Sequence, residues 1–493
     1  MGARLERLNV VYTGRGATFL VAANDASARS KAQADYVCDG TADDVEIQAA
    51  INALPVGGGR VQLSEGTFTI AATITMPGNR SGIHLAGMGQ RATYIQLPAS
   101  SALDAIQMGD NVTASESFSV RDLSILGGAT PSAGYGINAR LVNLSQIQNV
   151  RVEGCYNGIQ VLSCVDVWIS HTVVRDMAAT LGIGINIDGT VANPDNNIFL
   201  SNVFIDRVST GNALLGLNIN CCDGFWWNNG LIGHCTYDIG VNPAGGSGGT
   251  LVQFLMFTNV YADVSGTAAL FLVSSATQVI RSVVFTGCHF SGGTTDGILT
   301  SGAGTIDGVS FVGCEINGNG QRGINHASGG NIDIEGCHIA GNSSSSSGTY
   351  DAILVAAGLT RFAVRNCRIG PINNFANTQK YAINIATGAS DRYVLTGNDV
   401  YGNVTGGISD GGSGTDKQIR HNIGYVTENS GASTGTGAQQ TIAHGLGFTP
   451  TRQQIALTPG SATAVPYHSA APGATNIYVT AANLKAWYWA TVG

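Results

Sequence analysis

Apolar residues recur two apart along this chain, break at one residue, and resume two apart. "VSFVGCEINGNG" (309–320) shows the unit: Val309 and Phe311, then Gly313, then Cys314 and Ile316. The same layout returns in "VVFTGCHFSGG" from Val283 and "IDIEGCHIAGN" from Ile332. Equivalent breaks fall at Gly87, Asp122, Asn149, His171, Asn202, Asn229, Asn259, Gly287, Gly313, Gly336, Asn366 and Gly397, 22 to 35 residues apart. Period two is the mark of a strand, and Gly or Asn at the break predicts a corner with left-handed backbone. The residue after each corner is predicted to point inward.

A second short strand follows each corner by ten to twenty residues, as in "GIQV" at 158, "RGINHA" at 322 and "YAINIA" at 381. One such unit cannot bury its own apolar side chains, whereas stacked copies share a continuous core and pair every backbone group with the turn above and below. The pattern therefore predicts an all-β chain, a parallel β-helix of about twelve turns. Cys288, Cys314, Cys337 and Cys367 then form an interior ladder, and the ten cysteines read as reduced, buried small hydrophobes.

A stacked solenoid exposes strand edges at its ends, so caps are expected. "CDGTADDVEIQAAINALPVGGGRVQLSEGTFTI" from Cys38 supplies one. Asp43 and Glu46 have the spacing of a capping box, and Ile47, Ile51 and Leu54 line one face of a short helix ending near Pro55 and Gly57. The order "DGTADD", "IQAAINAL", "GGGRVQLSEGTF" resembles the N-terminal segment of the pectate-lyase-like right-handed β-helix superfamily, which includes phage tailspikes alongside polysaccharide lyases and hydrolases. The resemblance implies a right-handed helix, and it says little about activity because one fold hosts many functions. Past "IGYVTENSGASTGTGA", a stretch with the composition of a linker, "IAHGLGFTPT" and the strand-rich tail resemble a C-terminal module of phage tail fibres and tailspikes. In such proteins that module serves trimer assembly or receptor binding. The expected organisation is an attachment or cap segment over 1–37, the β-helix over 38–428 and a β-sandwich-like module over 429–493.

Composition narrows the partners. Among 493 residues, 24 Lys and Arg stand against 32 Asp and Glu, with no basic run, so no phosphate backbone is expected as a ligand. No run of 18 apolar residues predicts membrane insertion, and the first residues lack the apolar core of a signal peptide. A virion tail protein assembled in the host cytoplasm fits that absence, with the N-terminus joined to a tail or baseplate.

Two outward columns carry candidate chemistry. One reads Phe199, Phe204, Trp226, Leu231, Met256 and Tyr261, then turns polar as His289, Glu315, His338, Arg368 and Asp399. Its apolar part predicts a partner surface, a second and third copy in a homotrimer, with a covering segment or sugar stacking on Trp226 as the other readings. Its polar part predicts cross-turn ion pairs. The second column reads Asp296, Arg322, Asp351 and Tyr381. Two carboxylates two turns apart lie about 9.5 Å from each other, near the upper end of the separation inverting glycosidases use. Asp296, Asp351 and Arg322 are accordingly the catalytic candidates, and Tyr381, Trp226, Glu315 and His338 the substrate-binding ones. A salt-bridge ladder is the competing reading of that column. No metal and no cofactor are expected. The function implied is a phage-type tailspike that binds and depolymerises a host surface glycan. The alternatives are a non-enzymatic trimeric fibre and a free polysaccharide lyase or hydrolase.

Overall fold

A computed structural model describes residues 17–177, 182–206, 213–242, 250–372, 374–446, 450, 452–457, 466–481 and 486–492. It is a parallel β-solenoid of about 13 turns followed by a small antiparallel module. The chain divides into two compact units, Met1–Ala262 with Thr277–Ile280, and Asp263–Ala276 with Arg281–Gly493.

In both units the corners set the geometry. Every predicted corner from Asp122 to Gly397 has positive φ, between 50° at His171 and 70° at Gly397. Gly87 is the exception and serves space instead: a Cβ there would lie 2.4 Å from the Asp122 carbonyl oxygen. The structure adds what the sequence pattern had missed. Left-handed residues flank many corners at a fixed distance of five, as in Leu144, Asn149 and Gly154, in Asp166, His171 and Asp176, and in Gly308, Gly313 and Gly318. Each such turn is two straight four-residue arms hinged at left-handed residues. Along an arm the first and third side chains face the core, so Val309, Phe311, Cys314 and Ile316 are all buried. A left-handed Leu or Arg costs roughly 1–2 kcal/mol, and it is held because the arms on both sides are locked into the ladders above and below.

Unit 1 begins with strand Thr18–Ala22, which pairs in parallel with Gly59–Leu63. The helix Asp44–Ala53 covers this end, burying Ile47, Ile51 and Leu54 as expected. The capping box does not form, because Asp43 makes no side-chain cap bond. Its carboxylate accepts the backbone N–H of Gly40 at 2.8 Å and of Thr69 at 2.7 Å, so it ties the helix start to the neighbouring strand.

Unit 2 continues the same repeat. The ten cysteines along the chain are buried thiols outside any disulfide, and the Cys314 amide donates to Cys337 Sγ at 3.4 Å, as an interior ladder requires. A second ladder is made of amides. Asn319 Nδ2 donates to Asn342 Oδ1 (2.8 Å), Asn342 Nδ2 to Gln379 Oε1 (2.9 Å), and Gln379 Nε2 to Asn403 Oδ1 (3.0 Å). Asn319 and Asn342 are fully buried, and this chain of bonds replaces the water they lose.

The C-terminal module consists of two three-stranded antiparallel sheets over a core of Ile477, Val479, Trp487 and Trp489. The stretch expected as a linker is instead the strand Glu428–Thr434, paired with Ala486–Val492. Gly431 is needed there, since a Cβ would meet the Trp489 ring at 2.9 Å.

Candidate functional site

Asp296, Arg322, Asp351 and Tyr381 stand one rung from the next by strand register, but the column is not the exposed one expected. Both carboxylates are buried, at 4% and 6% exposure. Asp296 accepts the backbone N–H of Arg322 at 3.2 Å, its guanidinium at 3.4 Å and Asn325 Nδ2 at 2.8 Å. Asp351 accepts the backbone N–H of Tyr381 at 3.3 Å and Asn384 Nδ2 at 2.8 Å. The Arg322 guanidinium also lies 5.3 Å from the Tyr350 ring centroid. The same grip recurs in unit 1, where Asp104 accepts the Tyr135 N–H at 2.9 Å and Asn138 Nδ2 at 2.8 Å. An Asp holding the backbone and a side-chain amide of the next rung is thus a clip of the repeat. It also fixes each carboxylate rigidly, as a reacting pair would need.

Glu315 and His338 meet at 3.0 Å on the surface, an exposed pair of the kind expected along the polar column. A contact of this exposure contributes at most about 1 kcal/mol. Trp226 lies in an aromatic stack: its ring is 4.9 Å from Phe199, which is 5.5 Å from Trp168, with interplanar angles of 15° and 7°. Neighbouring rings cover each other's faces inside the stack. Phe204, Met256 and Tyr261 of the apolar column are exposed at 42%, 47% and 37%.

Sequence reading missed what lies at the other end of the aromatic column. Register continues it from Trp168 back through Gln146 and Ser119 to His84. Here a groove of about 280 Å³ is lined by His84, Ser117, Ser119, Arg121, Gln146 and Gln148, with Phe118 and Leu144. His84 Nδ1 and Ser119 Oγ are 2.8 Å apart. Burial first, and then the charges of Arg60 and Arg121, hold the imidazole below its ordinary pKa. An aromatic column leading into imidazole, hydroxyl, amide and guanidinium groups offers donors and acceptors beside an apolar ledge. Following the Phe199 column four turns toward the N-terminus would have found it.

Among the described residues, Cys38, Asp43 and Glu46 bring ligand atoms within 4.8 Å of one another. Asp43 is already committed to two backbone amides, and burial above all holds the Cys38 thiol well above its usual range, so this group is poorly suited to a metal. No helix among the described residues is long and apolar enough to cross a membrane.

Residues 240–423 match the family described as "Right handed beta helix region". No curated protein matches the sequence. Among solved structures, the chain resembles the A-module of the mannuronan C-5 epimerase AlgE6 of Azotobacter vinelandii, with TM-score 0.55 and 17% identity over 78% of this chain and 96% of that one. The A-module of AlgE4 from the same organism gives TM-score 0.50 and 17% identity, over 78% and 96% of the two chains. The tailspike gp61 of Pseudomonas phage phi297 gives TM-score 0.50 and 10% identity, over 90% of this chain and 91% of the tailspike. With the stacked parallel rungs and left-handed corners described above, these likenesses give the chain a right-handed β-helix fold, like that of the two epimerase A-modules and the phi297 tailspike.

Proposed function

We propose that this chain is a tailspike-type protein that binds a host cell-surface polysaccharide in the groove of unit 1. The observation that carries the reading is the column that runs from Trp226, Phe199 and Trp168 into Gln146, Ser119 and His84, with Arg121 and Gln148 beside it. Sugars combine hydroxyl groups with apolar ring faces, and such a strip supplies partners for both. The near end-to-end likeness to a phage tailspike supports the context. In this reading the N-terminus joins a tail or baseplate, and the exposed Phe204, Met256 and Tyr261 contact other copies in a homotrimer. Light scattering that gives a monomer at micromolar concentration removes the trimer.

Binding is tested by titrating the full chain with capsule and lipopolysaccharide from a host panel. Arg121→Ala and Gln146→Ala should weaken binding about tenfold, as loss of a direct polar contact to a ligand does. Unchanged affinity in both variants moves the site elsewhere.

A second reading adds cleavage at Asp296 and Asp351 with Arg322 between them, favoured by rigid carboxylates two rungs apart; Tyr381, Glu315 and His338 then line the approach. If wild type releases reducing ends or unsaturated uronates, Asp296→Asn and Asp351→Asn should each lower the rate by about 10² to 10⁴. Turnover within a few fold of wild type leaves the carboxylates as rung clips alone.

A further inference from the structure

On the second sheet of unit 1, one strand position carries an amide on rung after rung: Gln107, Asn138, Gln160, Asn186 and Asn218, with Gly240 in the next step. At the Asn218 end the pairing slips. Ile187 faces Ile219 but Asp188 faces Cys221, so Asn220 is an extra residue, and its side chain joins the same group. Asn218 Nδ2 donates to Asn186 Oδ1 at 2.9 Å, and Asn220 Nδ2 reaches Asn186 Oδ1 at 3.4 Å and Asp188 Oδ1 at 3.2 Å. Asn186 Nδ2 in turn points to the Tyr135 hydroxyl at 3.4 Å. Each amide nitrogen of this trio therefore makes at least one hydrogen bond.

Among the described residues, Asn218 Oδ1 and Asn220 Oδ1 find no hydrogen-bond partner, on residues only 2% and 1% exposed. Leaving such acceptors bare costs about 1–3 kcal/mol each. Gly240 stands where the next side chain of the column would be, and a Cβ there would meet Leu215 Cδ2 at 2.6 Å, so the run of amides stops at Asn218. The site thus offers two bare neutral oxygens beside the carboxylate of Asp188, itself 8% exposed. A hard cation only takes lone pairs, and calcium in particular tolerates an irregular set of amide and carboxylate oxygens.

We propose that Asn218, Asn220 and Asp188 form a calcium-type cation site at the bulge of unit 1, separate from the polysaccharide groove and independent of whether that groove binds sugar. Its oxygens would tie the bulged rung to its neighbour, because Asp188 lies on one strand and Asn218 and Asn220 on the next.

The test uses the full chain stripped with EDTA and dialysed to equilibrium against calcium chloride, with bound metal measured by elemental analysis. Wild type should take up calcium in preference to magnesium, which demands a tighter octahedron. Asp188→Asn, which keeps the shape and removes the charge, should weaken uptake about tenfold, and Asn218→Asp, which adds a charge, should strengthen it. Circular dichroism checks that each variant is folded. Calcium should also raise the wild-type melting temperature in a concentration-dependent way. No calcium on folded wild type, or equal uptake by wild type and Asp188→Asn, overturns the site and leaves the two oxygens to ordered water.

Discussion

The two units each bury a run of side-chain amides, and they treat them differently. In unit 2, Asn319, Asn342, Gln379 and Asn403 pass hydrogen bonds down the line, nitrogen to oxygen, and the last nitrogen ends on the Ile369 carbonyl at 2.9 Å. In unit 1, Asn218 and Asn220 both aim nitrogen at Asn186, which leaves their oxygens bare. A closed chain of amides is structure. An open one is a place where something else completes the bonding, since buried acceptors rarely stay unpaired.

Breaking the closed ladder should therefore hurt most. Asn342→Ala removes the acceptor of two bonds from Asn319 and the donor to Gln379, and should destabilise by at least about 3 kcal/mol, read as a shifted urea midpoint. A loss below about 1 kcal/mol would make the two amide runs equivalent.

Among the bare buried atoms of unit 2 is Nε2 of His326, and it sharpens the contrast. Burial, its first cause, lowers the pKa from 6.5 to about 4, so this ring stays neutral in the fold. The folded value lies below the unfolded one, so the contribution is complete above pH 6.5 and fades as pH falls through 4. Roughly 3 kcal/mol should vanish across that window. His326→Leu should flatten this part of the pH dependence, and an unchanged profile would mean that the imidazole is not held neutral.

The cysteine ladder gives a middle case. Cys314 Sγ lies 3.5 Å from the Phe285 carbonyl and 3.6 Å from that of Val312, distances that suit sulfur and are long for a hydroxyl. Cys314→Ser should cost about 1–3 kcal/mol, and Cys314 in folded wild type should resist thiol reagents. Rapid labelling would contradict its interior position. Smallest of all should be Asn218→Leu in the presence of EDTA, within about 1 kcal/mol, because one bare oxygen disappears together with one hydrogen bond. A loss as large as that of Asn342→Ala would erase the comparison.

The repeat was legible because corners need Gly or Asn and strands need alternation, two demands written directly in residue type. Of the eleven left-handed corners from Asp122 to Gly397, nine carry Gly or Asn, and Asp122 and His171 were placed by the alternation around them. The partners flanking the corners were not legible, since Leu144 and Arg361 are residues that seldom turn left-handed and carry no such signal. The column Asp296, Arg322, Asp351, Tyr381 could be aligned by counting from the strands. What the sequence alone did not show was that each carboxylate grips an amide three residues beyond its neighbour, because Asn325 and Asn384 look like ordinary outward polar positions. The groove at His84 and the bulge at Asn220 depend on which rung lies beside which, and a slipped register is invisible to a period.

The hinges also constrain how this molecule can change over generations. Two arms of fixed length consume ten residues of a typical turn, while the distance between corners ranges from 22 to 35. All of that variation falls on the return path, so the chain can lengthen a loop there, or duplicate and delete whole rungs, without moving a single inward side chain of the arms. New surface chemistry can be tried in the variable part of any rung while the repeated part keeps its register.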